Sequence, residues 1–102
     1  MIPIFTTKII DGSSDSSGTA DISNSAEMHV HRVYTSIDTA ADVTIQVSPD
    51  DGDTWFDIDT ASASGVRELD RPWPKLRISW ANNTGDITVW EEHTYDTDKA
   101  TV

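Results

Sequence analysis

Ser48-Pro49-Asp50-Asp51-Gly52-Asp53-Thr54-Trp55 lies between an alternating apolar run, Val43, Ile45 and Val47, and a second short run, Phe56 and Ile58. Two such runs around a Pro, Asp and Gly-rich octet read as two strands and the turn that joins them. Ser48 and Asp50 can accept hydrogen bonds from the amides of the turn itself, and Gly52 supplies the positive φ that short hairpin loops need. Thr54 and Trp55 then restart a strand, because β-branched and aromatic side chains suit a pleated, half-buried surface. On that strand Trp55 and Asp57 share one face, and Phe56 and Ile58 share the other.

The Ser-x-Asp-x-Gly-x-Thr-Trp string resembles the Asp-box, a β-hairpin motif of sialidase propeller blades that also occurs singly in other all-β proteins. The resemblance implies a structural turn built by Ser48, Asp50, Gly52, Thr54 and Trp55, with Trp55 packed back beneath it and no part in catalysis. A propeller needs several four-stranded blades, and a chain of 102 residues with one box is too short to be one.

Strand signals continue on both sides of this hairpin. Residues 2 to 10 are rich in Ile, Phe and Thr and read as an amino-terminal arm or edge strand (1–10), with Pro3 confining it to an edge. The next segment, 11–24, is dominated by Ser, Asp and Gly and reads as a flexible loop that buries nothing. A sandwich body follows over 25–95, and 96–102 reads as a polar tail. Within the body, 26–37 and 43–47 are strands, and 66–69 is a short one. Arg71-Pro72-Trp73-Pro74 must be extended, because each proline fixes its own φ and restricts the residue before it. Lys75 to Ala81 alternates, with Leu76, Ile78 and Trp80 on one face, and Asp86 to Tyr95 is a last long strand. Helical periodicity is absent, and about seven short strands between Gly, Pro, Asn and Asp turns predict an all-β, single-domain antiparallel β-sandwich of jelly-roll-like type.

Composition excludes several functions. Seven basic against 18 acidic residues give a formal net charge of -11, a field that repels phosphate and argues against a nucleic-acid partner. No cysteine is present, so disulfides and thiolate metal sites are excluded. The amino terminus lacks the charged and apolar regions of a signal peptide, and no apolar run is long enough to span a bilayer as a helix. The expected product is therefore soluble and made in a cytoplasm.

Candidate chemistry is sparse. His29 and His31, with Glu27 two residues earlier, would share one strand face as three metal ligands, an arrangement similar to the His-x-His of cupin jelly rolls. The chain departs from that pattern next, because Arg32-Val33-Tyr34-Thr35-Ser36 offers no acidic ligand. His93 joins them only where the last strand lies beside this one. Asp50, Asp51, Asp53, Asp57 and Asp59 invite a calcium reading but lack the EF-hand spacing. Glu91 and Glu92 are adjacent on a strand, face opposite ways, and cannot flank one glycosidic bond. No nucleophile pattern or phosphate loop is legible, so neither an enzyme nor a bound cofactor or metal is expected. Four tryptophans remain. Trp80 belongs to the core face, Trp55 to the turn, and Trp73 and Trp90 to display on a partner surface.

The whole chain resembles small phage virion proteins: short, cysteine-free, acidic and all-β. The matching stretches are Val43 to Phe56 and Lys75 to Val89, where Leu76-Arg77-Ile78 leads into the Thr84-Gly85 turn and a final strand. The resemblance implies a non-enzymatic structural subunit of the virion, a capsid decoration or cement protein that binds and stabilises the shell, with neck and tail as other addresses. It also implies a homo-oligomer, a trimer foremost, on a major capsid protein. Ile2, Ile4 and Phe5 would form the contact arm, with Trp73 and Trp90 as further contacts. The alternative is a carbohydrate-binding sandwich in which Trp73 and Trp90 stack on sugar rings and the Asp-rich loop holds calcium.

Overall fold

The turn after Ser48 is the tip around which every other pairing nests. The computed structural model describes residues 4–22, 28–69 and 75–95. They form strands β1 (Phe5–Ser13), β2 (Gly18–Ile22), β3 (Met28–Ile37), β4 (Asp42–Val47), β5 (Phe56–Ala61), β6 (Gly65–Glu68), β7 (Leu76–Ala81) and β8 (Ile87–Tyr95). Moving outward from the tip, β4 pairs with β5, β3 with β6, β2 with β7 and β1 with β8, all antiparallel. This is one long hairpin. Ladders between β3 and β8 and between β4 and β7 roll it up. The product is two four-stranded sheets, β1-β8-β3-β6 and β2-β7-β4-β5, which is the eight-stranded jelly roll.

Period-two patterning places the core. Val43, Ile45 and Val47 on β4, Leu76, Ile78 and Trp80 on β7, and Ile87 and Val89 on β8 all point between the sheets and are buried. Each such aliphatic side chain contributes about 1.5–3 kcal/mol on leaving water. On β3 both Val30 and Val33 are buried, which strict alternation forbids. The ladder explains it: Val30 faces His93 and Arg32 faces Glu92, so β3 carries one extra residue there and its parity flips. Arg67 on β6 reaches Asp59 on β5 at 2.6 Å, tying the two sheets together along one open side.

The segment expected as a flexible loop, 11–24, is different in the structure. It holds the end of β1 and all of β2, and Ile22 joins the core. Composition missed this because the anchors are distant side chains. Trp80 Nε1 donates to the Asp15 carbonyl at 3.0 Å, and Asn83 Nδ2 donates to the carbonyls of Ser13 and Asp15 at 3.1 and 2.9 Å. Gly18 is required beside that indole, because a Cβ there would lie 2.6 Å from the Trp80 ring. Residues 5–10 are paired strand, and residues 96–102 lie outside the described residues.

Candidate functional site

The Asp-box turn is closed by its own polar atoms. Ser48 is 1% exposed, and its Oγ accepts from the Gly52 amide at 2.7 Å and donates to Asp50 Oδ1 at 2.9 Å. The same Asp50 oxygen accepts from the Thr54 amide at 2.7 Å, while Trp55 Nε1 donates to the Gly52 carbonyl at 3.1 Å. Hydrogen bonds from Thr54, its side chain foremost, hold the Asp50 carboxyl below its ordinary value. Asp51 as well as Gly52 takes a positive φ, 62° and 99°, so two residues make the left-handed bend where the sequence suggested one. The Arg77 guanidinium stacks 4.1 Å from the Trp55 ring. Ser48 Oγ and Asp50 Oδ1 are thus both engaged within the turn.

The outer face of the β1-β8-β3-β6 sheet is built differently. Trp90 on β8 sits between its ladder partners Lys8 and Tyr34, with the Lys8 ammonium 5.8 Å from its ring. Beside it Glu92 accepts from Tyr34 Oη at 2.8 Å and from Arg32 at 2.6 Å, and Arg32 also reaches Glu68 on β6 at 3.3 Å. Tyr34 first, and Arg32 after it, keeps the Glu92 carboxyl below its ordinary value; the same bonds raise the Arg32 and Tyr34 values. At the end of this face Ile4, His31, Arg32, Glu68, Leu69, Glu92 and Thr94 line an open cleft of about 480 Å³. The β3 bulge makes the cleft polar, since it brings His31 and Arg32 to the same side of the strand. Sequence reading missed Tyr34, Arg32, Glu68 and Glu92, because they come from three strands whose pairing the sequence does not give.

The histidines divide between the two faces. His29 and His31 stand side by side on the outer face, ring centres 4.0 Å apart, and His31 Nε2 lies 2.6 Å from Thr94 Oγ1. Strand β8 does lie beside β3, yet His93 does not join them. It faces the interior at 6% exposure, and its Nδ1 is 2.7 and 2.9 Å from the two oxygens of Glu91, itself 2% exposed. Glu91 and Glu92 therefore sit on opposite faces, one in the core and one in the outer network. Among the described residues no three His, Cys, Asp or Glu side chains cluster as a metal site. Glu27 lies outside those residues.

The expected contact residues are partly on view. Ile4 is 64% exposed and Phe5 44%; the Phe5 ring stacks on His93 with centres 5.5 Å apart and meets the edge of Tyr95, also 44% exposed. Trp90 is half-buried on the outer face. Ile2 and Trp73 lie outside the described residues.

No family model matches the chain, and no curated protein matches it. A solved structure titled "Carbohydrate binding module family29" is similar over 93% of this chain and 90% of its own, with 13% identity and a TM-score of 0.42.

Proposed function

We propose that this chain is a non-enzymatic structural subunit of a phage particle, a capsid decoration protein that docks on the shell through the amino-terminal end of β1. The observation that supports this reading is the exposed apolar group formed by Ile4, Phe5 and Tyr95 on an otherwise strongly acidic molecule. Exposed apolar side chains at one end of the sheet, on an acidic molecule, suit a protein partner with an apolar socket and a basic rim. In this reading β1 arrives already paired to β8, and residues 4 and 5 extend from it as the contact. The working form is a trimer astride shell subunits, assembled on a major capsid protein; neck and tail are the other addresses.

Light scattering on the purified protein at near-physiological salt tests the self-association. The expected mass is three times that of the 11.2 kDa chain, falling to one for Ile4→Ser with Phe5→Ser. A monomer at every concentration, for both proteins, would sink the preassembled trimer.

A second reading rests on a different face. Trp90 beside Tyr34, bordered by Arg32, Glu92 and Glu68, offers rings for stacking and charged groups for hydroxyls, as a carbohydrate ligand requires. Here Trp90→Ala should abolish retardation in gels containing soluble polysaccharide, while the Ile4 and Phe5 substitutions leave it intact.

A further inference from the structure

Along the side where the edge strands β5 and β6 meet, the layer between the sheets is thin. Register puts Thr35 of β3 opposite both Val89 and Gly65, and the three face the interior. Arg67 on β6 and Ala61 on β5 face the same way, as ladder partners of the buried Val33 and Val43. Elsewhere this layer is filled by Val, Ile, Leu and Trp, whereas here it holds Thr, Ala and Gly. A pocket of about 400 Å³ results, walled by Thr35, Ala61, Ala63 and Gly65, with Arg67 at its edge. The backbone shows the same space, since a Cβ at Gly65 would meet nothing within 4 Å. Protein interiors normally close such gaps with side chains.

We propose that this corner pocket binds one small neutral molecule bearing adjacent hydroxyls, a single sugar ring or a polyol of similar size. The inference rests on neither reading above, because the pocket lies between the sheets and shares no residue with the Trp90 face or the Ile4 and Phe5 end. An uncommitted hydroxyl is the first argument. Ser62 Oγ donates to Asp42 at 2.8 Å, and Ser64 Oγ is bound to the amide and carbonyl of Ile37 at 2.8 and 3.3 Å, so both are engaged. Thr35 is 7% exposed, and its hydroxyl finds no partner among the described residues. Burying a hydroxyl without a partner is costly, and a ligand hydroxyl in the pocket removes that cost.

Charge at the mouth is the second argument. Arg67 Nε meets Asp59 Oδ2 at 2.6 Å, and both side chains are almost half exposed. Bound to each other, they cancel in net charge yet still present N–H donors and carboxylate lone pairs side by side. Adjacent hydroxyls, each able to donate and accept, match that pair. An anion would meet Asp59 and the net charge of -11, and a cation would meet Arg67. Small apolar walls around a few polar groups, at this volume, are also the usual make-up of a small-molecule site.

The test is an amide-resolved NMR titration of the intact protein with glucose, galactose, mannose and myo-inositol in turn. At least one of the four should give saturable shifts at Thr35, Ala63, Gly65 and Arg67, with affinity in the millimolar range, and Trp90→Ala should leave them unchanged. Gly65→Leu, at a position with no positive φ, fills the pocket; it should weaken binding by at least about tenfold while Tm holds or rises. Thr35→Val keeps the shape, removes the hydroxyl, and should weaken binding by about tenfold. The wild-type shift map does not depend on either variant folding. No saturable shift with any of the four probes overturns the proposal, and so do shifts centred on Trp90 or binding that both pocket variants leave intact.

Discussion

The two sheets share a core pattern and differ on their outer faces. On β2-β7-β4-β5 the outward side chains satisfy one another across the strands. Thr44 and Thr60 are joined at 3.0 Å, Gln46 donates to Asp57 at 2.8 Å, and Arg77 donates to Gln46 at 2.7 Å while covering Trp55. Such a lattice stabilises strand pairing and leaves few groups free for a ligand. On β1-β8-β3-β6 the outward groups are large and charged, and a bulge crowds two of them together. One architecture thus carries a self-satisfied face and a face with a cleft, a ring pair and an unpartnered imidazole nitrogen. The difference leaves rings and charges exposed on the second face, while the first face ties its own together.

The contrast can be broken first at the edge strands. Gly18→Ala in β2 forces a Cβ against the Trp80 ring and should cost up to about 3 kcal/mol, while Gly65→Ala in β6, where nothing lies within 4 Å, should stay within about 0.5 kcal/mol. Paired thermal melts measure this, and equal Tm values would show that Trp80 does not depend on the bare backbone of β2. Next comes the turn. Ser48→Ala leaves the part-buried Gly52 amide without its acceptor and should cost about 1–2 kcal/mol in chemical denaturation; a loss below about 0.5 kcal/mol would mean the turn closes without it.

Sharper tests compare the outer networks directly. Glu92→Ala takes the partner from Tyr34 and leaves Arg32 with Glu68 alone, and should lower Tm more than Gln46→Ala does on the opposite face. The reverse order would place the stronger network on the wrong sheet. The smallest expected effect is in pH dependence. Because the His29 value is lowered from 6.5, the unfolded chain takes up that proton first, so stability is lost as pH falls below 6.5. The lowered carboxyls of Glu92, Asp50 and Asp42 add a second loss below their ordinary values of 4.5 and 3.8. His29→Gln should remove the first loss and keep the second, as read from denaturation midpoints across pH.

Much of the sandwich was legible before any coordinates. The alternation of Val43, Ile45, Val47 and of Leu76, Ile78, Trp80 predicted their burial, and the adjacency of Glu91 and Glu92 placed them on opposite faces. The candidate site was less legible. Strict alternation separates His31 from Arg32, and only the register against β8 shows the extra residue that unites them. Composition alone misread 11–24, since its order comes from Trp80 and Asn83, more than sixty residues away along the chain.

By itself the sequence determined most of the strands, the turn at Ser48 and which side of those strands faces inward, because side-chain period and turn chemistry are local properties. The tertiary structure decided which strands lie side by side, that His93 points into the core against Glu91, and that the outer face of one sheet is left with unmet chemistry. Those outcomes depend on ladder register between residues far apart in the chain, and one extra residue in β3 brings His31 to the side of Arg32.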